Sequence, residues 1–438
     1  MVIRGPPLPP PISWYPGHMA SFSKTLPQLL QSTHVVLEAR DARLPLTSIN
    51  PAFESLLNKW YRERGSGMHG PVERIVLYNK ADLVPQWGIE PFKRALGRHF
   101  THETLFTTAK LGKSVGALHA KLTDIARRHG DTLPHLNVLV VGMPNVGKST
   151  IINHLRSYGI RGASSSALKT SRLPGMTRAT SNKIRLCDDP LIYSVDSPGV
   201  MIPFLGHGEA SRERAAKISM ILGIKESLFD YEHLAAYLLY RLNSMPSSPS
   251  TLPPYPPLLR KQTKSREPLG LTESTEAFLD ELADRMGYFQ SGGVRDRQRA
   301  ARWFIEWWRS AGGTPEESGS GGEPGVGGSE EWGWGLDCQW ADRFEQSQES
   351  PLSSITHPEQ AASGDHISAT EQPETQTLES KFDRLIVRHM KDLETWEEEV
   401  SETQMKKREK EEKIQRRAEK GGQAAKKRAD TLKRRNRR

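Results

Sequence analysis

The chain has 438 residues, 36% of them hydrophobic and 26% charged, enough for two or three domains with real cores. Its net charge is +9, yet residues 401–438 alone hold 16 Lys/Arg against 6 Asp/Glu, so the basic character belongs to the tail and the rest is close to neutral. No apolar run approaches the roughly 18 residues of a bilayer span, so no transmembrane helix is expected. Cys187 and Cys338 lie far apart without CxxC spacing, which argues against a zinc site or a disulfide framework and suits a reducing compartment.

In chain order, residues 1–25 read as an N-terminal arm. Met1 to Pro11 is proline-rich with a single arginine, and has neither the apolar segment of a secretory leader nor the amphipathic helix of a mitochondrial presequence. Trp14-Tyr15-Pro16-Gly17-His18-Met19-Ala20 then places His18 in a Gly-containing turn. Residues 26–208 predict an α/β domain. Strands are expected over 35–39, leading into Asp41-Ala42-Arg43, over 74–78, ending at Asn79-Lys80-Ala81-Asp82, and over 105–107, running into Thr107-Thr108-Ala109-Lys110. A helix over 112–129 follows. A strand over 136–141 ends at Gly142-Met143-Pro144-Asn145-Val146-Gly147-Lys148-Ser149, which opens a helix over 148–157. Strands over 183–186 and 191–195 lead to Asp196-Ser197-Pro198-Gly199. Apolar strands alternating with helices predict a mostly parallel sheet covered on both faces, and every motif sits just after a strand, where such sheets bind ligands.

Residues 209–344 predict a smaller all-α domain with low-complexity insertions. Its helical stretches are 210–243 and 273–311, with a Pro/Ser-rich linker over 244–268 and a Gly/Ser/Glu-rich run over 312–330. Trp303 and Trp307, like Phe304 and Trp308, lie at helical spacing and read as an aromatic core. Residues 345–438 predict a disordered linker and a basic, solvated helical tail.

The motifs define a nucleotide. A glycine loop between a strand and a helix, closed by Lys148 and Ser149, is a phosphate loop. Backbone N–H groups along Asn145, Val146, Gly147, Lys148, Ser149 and Thr150 would cradle the phosphates. Lys148 would reach the β- and γ-phosphates and Ser149 would hold Mg²⁺. The Asp82 carboxylate can accept from both the ring N–H and the exocyclic amine of guanine, a donor pair that adenine lacks. Asn79, Lys80 and Ala81 complete that tetrad, and Thr108, Ala109 and Lys110 would back the base with a main-chain N–H. Asp196 would act on Mg²⁺ through water, the Gly199 N–H would meet the γ-phosphate, and Thr177, with Thr180 as a neighbouring competitor, would complete the metal shell. Val200 stands where many signalling GTPases place the glutamine that orients the attacking water, which valine cannot do. His18 could do so; the competing reading is a surface or capping histidine.

The guanine tetrad precedes the phosphate loop, the reverse of the ordinary order, so the pocket is threaded by a circularly permuted chain. Together with the segment around His18, Asp41-Ala42-Arg43, Pro174-Gly175-Met176-Thr177-Arg178 and Asp196–Val200, this resembles the circularly permuted GTPases typified by bacterial ribosome biogenesis GTPase A and mitochondrial GTPase 1. The resemblance spans roughly residues 12–311, with an echo at Gly333-Trp334-Gly335-Leu336; the run 312–330 and the extension 345–438 depart from it. It implies a catalytic role for His18, a K⁺ held near the phosphates through Asn145, and GTP-dependent action on the large ribosomal subunit precursor and its rRNA. It implies a mitochondrial location, on the matrix side and peripheral to the inner membrane. The basic tail leaves a nuclear or nucleolar large-subunit GTPase as the alternative. A nucleotide-gated ribosome-binding module with incidental hydrolysis is another.

Overall fold

The computed structural model describes residues 6–9, 15–65, 71–108, 113–162, 183–200, 205–225, 228–244, 274–311, 330, 333–340 and 377–398. The insertion 312–330 (save residue 330), most of the expected linkers and the basic run 401–438 lie outside them.

The chain begins with α1 (Gly17–Gln31), β1 (Val35–Asp41), α2 (Pro51–Gly65), β2 (Glu73–Asn79), α3 (Ile89–His99), β3 (Glu103–Thr107) and α4 (Lys113–Arg128). It continues with β4 (Leu136–Gly142), α5 (Lys148–Gly159), β5 (Ile184–Cys187) and β6 (Ile192–Asp196). These six strands form one sheet in the order β3-β2-β1-β4-β6-β5. All neighbours are parallel except β5, which runs antiparallel to β6 at the edge. The expected strands are all present, most of them lengthened by a residue or two.

Alternation along the central strands divides two cores. Val35, Leu37 and Ala39 of β1 and Val138 and Val140 of β4 face the larger one, with Leu118 and Leu122 of α4 and Ile151 and Leu155 of α5. Val36 of β1 and Leu139 and Val141 of β4 face the other, covered by Phe22, Leu26 and Leu30 of α1 and Phe53, Leu57 and Trp60 of α2. Beside that second core Arg40 is buried. It donates to Glu38 at 2.7 Å, to Glu54 of α2 at 2.7 Å and to the Tyr78 hydroxyl at 3.1 Å, while Arg74 of β2 donates to Glu54 at 2.9 Å. Burial raises the carboxyl of Glu38, but Arg40 and Arg74 outweigh it and hold the group well below its usual range. Two arginines against two glutamates leave the cluster neutral; losing one partner would strand a buried charge.

α1 corrects one expectation. The arm does not end at residue 25: a continuous helix crosses that point, and Met19, Phe22, Leu26 and Leu30 bury its inner stripe. His18 therefore belongs to the first turn of an ordered helix.

The second domain comprises α6 (Gly208–Met220), α7 (Tyr231–Ser244), α8 (Thr275–Met286) and α9 (Arg297–Ala311). Ser274 caps α8 by accepting from the Ala277 N–H at 3.3 Å, and Gly287 ends it with φ 68°. Phe278, Phe304, Trp307 and Trp308 are buried, with Phe304 and Trp307 stacked at 5.7 Å, so the aromatic pairs are core.

The chain then returns to the first domain. A hairpin of β7 (Gly333–Trp334) and β8 (Cys338–Gln339) buries Trp334 completely. Its indole N–H donates to the Pro85 carbonyl at 2.8 Å, and the ring lies so close to Gly88 that a Cβ there would sit 2.3 Å from it. Asp337 accepts from the Leu46 and Thr47 N–H groups at 2.9 and 2.7 Å. A last helix, α10 (Leu378–Glu398), docks on α3. The sequence places this segment in a solvated charged tail; instead Phe382, Ile386 and Leu393 are buried, with Phe382 edge-on to Phe92 at 5.3 Å and to Trp334 at 5.6 Å. Arg98 of α3 pairs with Glu379 at 2.8 Å and with Asp383 at 3.0 Å at the exposed rim. Phe382→Ala should cost about 3–5 kcal/mol of docking energy, and Arg98→Ala less than about 1 kcal/mol. Limited proteolysis near residue 377 measures both. Equal sensitivity of the two variants would show that the ion pairs hold the helix as firmly as the ring.

Candidate functional site

Each of the five parallel strands ends on a motif residue. Asp41 closes β1, Asn79 β2, Thr107 β3, Gly142 β4 and Asp196 β6. Strand register aligns Asp41 with Asn79, Asn79 with Thr107, Ala39 with Gly142, and Val140 with Asp196. The sheet thus gathers motifs scattered over 150 positions along one carboxyl edge.

Backbone shape builds the phosphate loop. Gly142 has φ 143°, and a Cβ there would lie 2.1 Å from the Ala39 carbonyl oxygen of the neighbouring strand. Asn145 and Gly147 are left-handed, at φ 61° and 98°, which turns the loop into the first residue of α5. Lys148 folds back over this loop, donating to the Gly142 carbonyl at 3.2 Å and to that of Met143 at 2.8 Å. Its ammonium and the α5 N-terminus concentrate positive charge at one point.

The guanine tetrad is tied directly to that loop. Asn79 is buried; its Nδ2 donates to the Val146 carbonyl at 2.8 Å and its Oδ1 accepts from Thr107 at 3.2 Å. Lys80, with φ 63°, donates through Nζ to the Asn145 carbonyl at 2.7 Å and to Asp41 Oδ2 at 2.8 Å. Ala81 and Asp82 follow in a short 3-10 turn. Thr108 donates its N–H to Ser114 Oγ at 2.7 Å, which ties the end of β3 to the first turn of α4. Ala109 and Lys110 lie outside the described residues, as do Thr177 and the side chain of Asp196.

Asp41 is the electrostatic centre. It is fully buried and accepts from Arg43 at 2.9 and 2.8 Å as well as from Lys80. Burial alone would raise its carboxyl, but the two cations overcome this and hold it far below the usual carboxylate range. For Lys80 burial wins: its ammonium is pushed below the ordinary lysine value, with Asp41 opposing.

The loop after β6 is seated against the phosphate loop. Ser197 Oγ donates to the Val140 carbonyl at 2.6 Å, and a Cβ on Gly199 would lie 2.7 Å from Pro144 Cα. The Val200 N–H donates to the Gly142 carbonyl at 3.1 Å, while its side chain is buried with Phe22, Leu26 and Leu30 of α1. α1 and β1 are both about 22 Å long. A tight turn at Ser32–His34 joins them, and His34 lies at the amino edge of the sheet, donating to the Asn137 carbonyl at 2.9 Å. The helix therefore runs back to the carboxyl edge, and half-buried His18 sits at the nucleotide end of α1, on the helix that covers Val200.

GTPases of this kind generally use Mg²⁺. The described residues contain no cluster of three His, Cys, Asp or Glu side chains able to cage a metal. The Ser149 hydroxyl in the first turn of α5 is the kind of oxygen that Mg²⁺ takes beside phosphate oxygens, so this turn fits the ion.

Sequence reading missed the roles of Asp41, Arg43 and Ser114. Asp41 and Arg43 come at the end of an apolar strand, which marks them as edge residues, but only strand register reveals that Lys80 is a second partner of Asp41.

The 50S ribosome-binding GTPase family matches residues 137–240. That span begins in β4, which leads into the phosphate loop, and leaves out the tetrad at 79–82, as permutation requires. The chain is 32% identical over 234 residues to mitochondrial ribosome-associated GTPase 1 of Mus musculus, covering 52% of this chain and just under two thirds, 66%, of that protein. It is 28% identical over 318 residues to mitochondrial GTPase 1 of Schizosaccharomyces japonicus, covering 68% and 87% of the two chains. GNP-bound YlqF from T. maritima matches at TM-score 0.37 and 18% identity, over 66% of this chain and 92% of that one. Mitochondrial GTPase 1 of Schizosaccharomyces pombe is 31% identical over 261 residues, which cover 54% of this chain and 73% of that protein. With that identity carried on a sheet whose guanine tetrad precedes its phosphate loop, the chain belongs to the mitochondrial GTPase 1 family of circularly permuted GTPases.

Proposed function

We propose that the chain is a mitochondrial assembly factor that binds the precursor of the large ribosomal subunit with GTP bound and leaves it on hydrolysis. The observation that carries this reading is the path of the chain: the loop after β6 leads directly into the helical domain, so the switch that senses the γ-phosphate adjoins the module available to a partner. The ribosome-associated name of the mouse relative and the basic run at 401–438 support an RNA-rich particle as that partner. No helix among the described residues is long and apolar enough to cross a membrane, so any contact with the inner membrane would be peripheral. Purified chain should co-sediment with large-subunit precursors at low salt with a non-hydrolysable GTP analogue and be released with GDP. Absence from those particles with both nucleotides would sink the proposal. The run Lys433-Arg434-Arg435-Asn436-Arg437-Arg438 favours a nucleolar version of the same role, and a fluorescent fusion distinguishes the two compartments.

The residue roles follow. Asp82 accepts from guanine, with Asn79 and Lys80 holding it against the phosphate loop; Ala81 shapes the turn, and Thr108, Ala109 and Lys110 back the base. Asn145 to Thr150 bind the phosphates, and the Gly199 N–H meets the γ-phosphate. Mg²⁺ would be held by Ser149 and Thr177 directly and by Asp196 through water, and it would neutralise charge on the β- and γ-phosphates. Val200 is committed to the α1 core, which leaves His18 to orient the attacking water. Asn145 is proposed to hold K⁺; its Nδ2 donates to the Leu222 carbonyl at 2.7 Å, so Oδ1 is the ligating end. Hydrolysis should run several-fold faster in KCl than in NaCl at equal ionic strength, and equal rates would remove potassium from the scheme.

A further inference from the structure

The polar contacts around Lys80 close into a ring that passes through the helical domain. Lys80 Nζ donates to the Asn145 carbonyl at 2.7 Å, and Asn145 Nδ2 donates to the Leu222 carbonyl at 2.7 Å. Leu222, in the turn after α6, donates its N–H to the Ser219 carbonyl at 3.1 Å. Arg309 of α9 grips the same turn, donating to the Ser219 carbonyl at 2.9 Å and to that of Met220 at 2.7 Å. The Arg309 carbonyl accepts in turn from Arg43 Nη1 at 3.2 Å. Arg43 holds Asp41 through two N–H groups, and Asp41 returns the ring to Lys80 at 2.8 Å. Arg43 is buried, and its guanidinium lies 5.0 Å from the Trp308 ring centroid.

We infer that this ring makes the docked helical domain part of the nucleotide holder: Arg43 is a positioning residue for Lys80, and the seating of α9 and the α6 turn sets how long guanine nucleotide stays bound. The inference rests on the GTPase reading of the site. Lys80 has two anchors, and both depend on the second domain. Asp41 is oriented by the planar fork of Arg43, whose Nη1 bond and ring contact belong to α9. Asn145 is oriented by Leu222, a non-glycine residue at φ 60°, a conformation that persists only where its surroundings enforce it. Lifting α9 removes an acceptor and an aromatic face from Arg43 and releases the turn from Asn145. The tetrad lysine and the phosphate loop then lose their fixed geometry together. A partner that grips the helical domain would thereby change nucleotide dwell time without touching the nucleotide.

The test is dissociation of fluorescently labelled GDP from the full chain, chased with unlabelled GDP in a stopped-flow instrument. Arg309→Gln removes the grip on the turn, and Arg43→Lys keeps a charge beside Asp41 but cannot also reach the Arg309 carbonyl. Each should accelerate dissociation about 5- to 20-fold with little change in the association rate. The double variant should be no faster than the quicker single, because both break one ring. Arg309→Lys, which can reach only one of the two carbonyls, is the milder variant and should give an intermediate rate if Arg309→Gln fails to fold. Wild-type dissociation rates in these variants, or effects that multiply in the double, would overturn the inference alone. A wild-type chain that does not bind GDP would overturn the GTPase reading and the inference with it.

Discussion

Asp82→Asn is expected to move the base preference of the pocket from guanine to xanthine. The carboxylate offers two acceptors to the ring N–H and the 2-amino group of guanine. Asparagine offers one acceptor and one donor, which matches the ring N–H and the 2-oxo group of xanthine. Removing one partner of a buried, charge-assisted pair typically costs about 2–5 kcal/mol, and each 1.4 kcal/mol is about tenfold in affinity. GDP affinity should therefore fall by about 30-fold or more while XDP affinity rises. The pocket wall should survive the change, because Asn79 and Lys80, not Asp82, carry the described bonds to the phosphate loop. Competition binding with GDP, XDP and ADP measures it. Unchanged discrimination against ADP would mean that another group reads the base.

His18→Ala should leave GDP affinity near wild type and lower particle-stimulated hydrolysis by about 10²- to 10⁴-fold, the usual contribution of a positioned acid–base group. The helix should tolerate the change. Its inner stripe is Met19, Phe22, Leu26 and Leu30, and His18 is not part of it. Because α1 is already packed, the particle does not have to fold this segment; its contribution would be the final placement of one side chain at the edge of an existing site. Single-turnover hydrolysis with saturating precursor particles separates the cases. Undiminished stimulated turnover would return His18 to the role of a surface residue at a helix start.

These two residues illustrate what the sequence made legible. The tetrad could be located because the strand before it ends on an apolar run: after Ile75-Val76-Leu77-Tyr78, Asn79 follows at once. Gly142 to Ser149 is legible for the same reason. His18 was legible as a candidate but not in its placement. Pro27 interrupts the helical pattern of α1, and nothing local shows that Val200, some 180 positions later, packs beneath the same helix. α10 was hidden by composition, since Phe382, Ile386 and Leu393 are spaced for one face but embedded among acids and bases. The Asp41–Lys80 pair depends on strand register across 39 residues and has no signature in spacing.

The pairing of β1 sets a schedule for synthesis. One edge of β1 meets β2, so the base-recognition half of the sheet can assemble early. Its other edge matches Val35 to Val138, and that strand leaves the translating ribosome about a hundred residues later. At roughly 5–20 residues per second this is a delay of about 5–20 s during which a central strand has one open edge. In the unpermuted order the phosphate loop emerges first and could take up nucleotide while the rest of the domain is still being made. Here the base-reading strands wait for the phosphate loop, so GTP cannot template early folding and first stabilises the domain when the whole pocket has emerged.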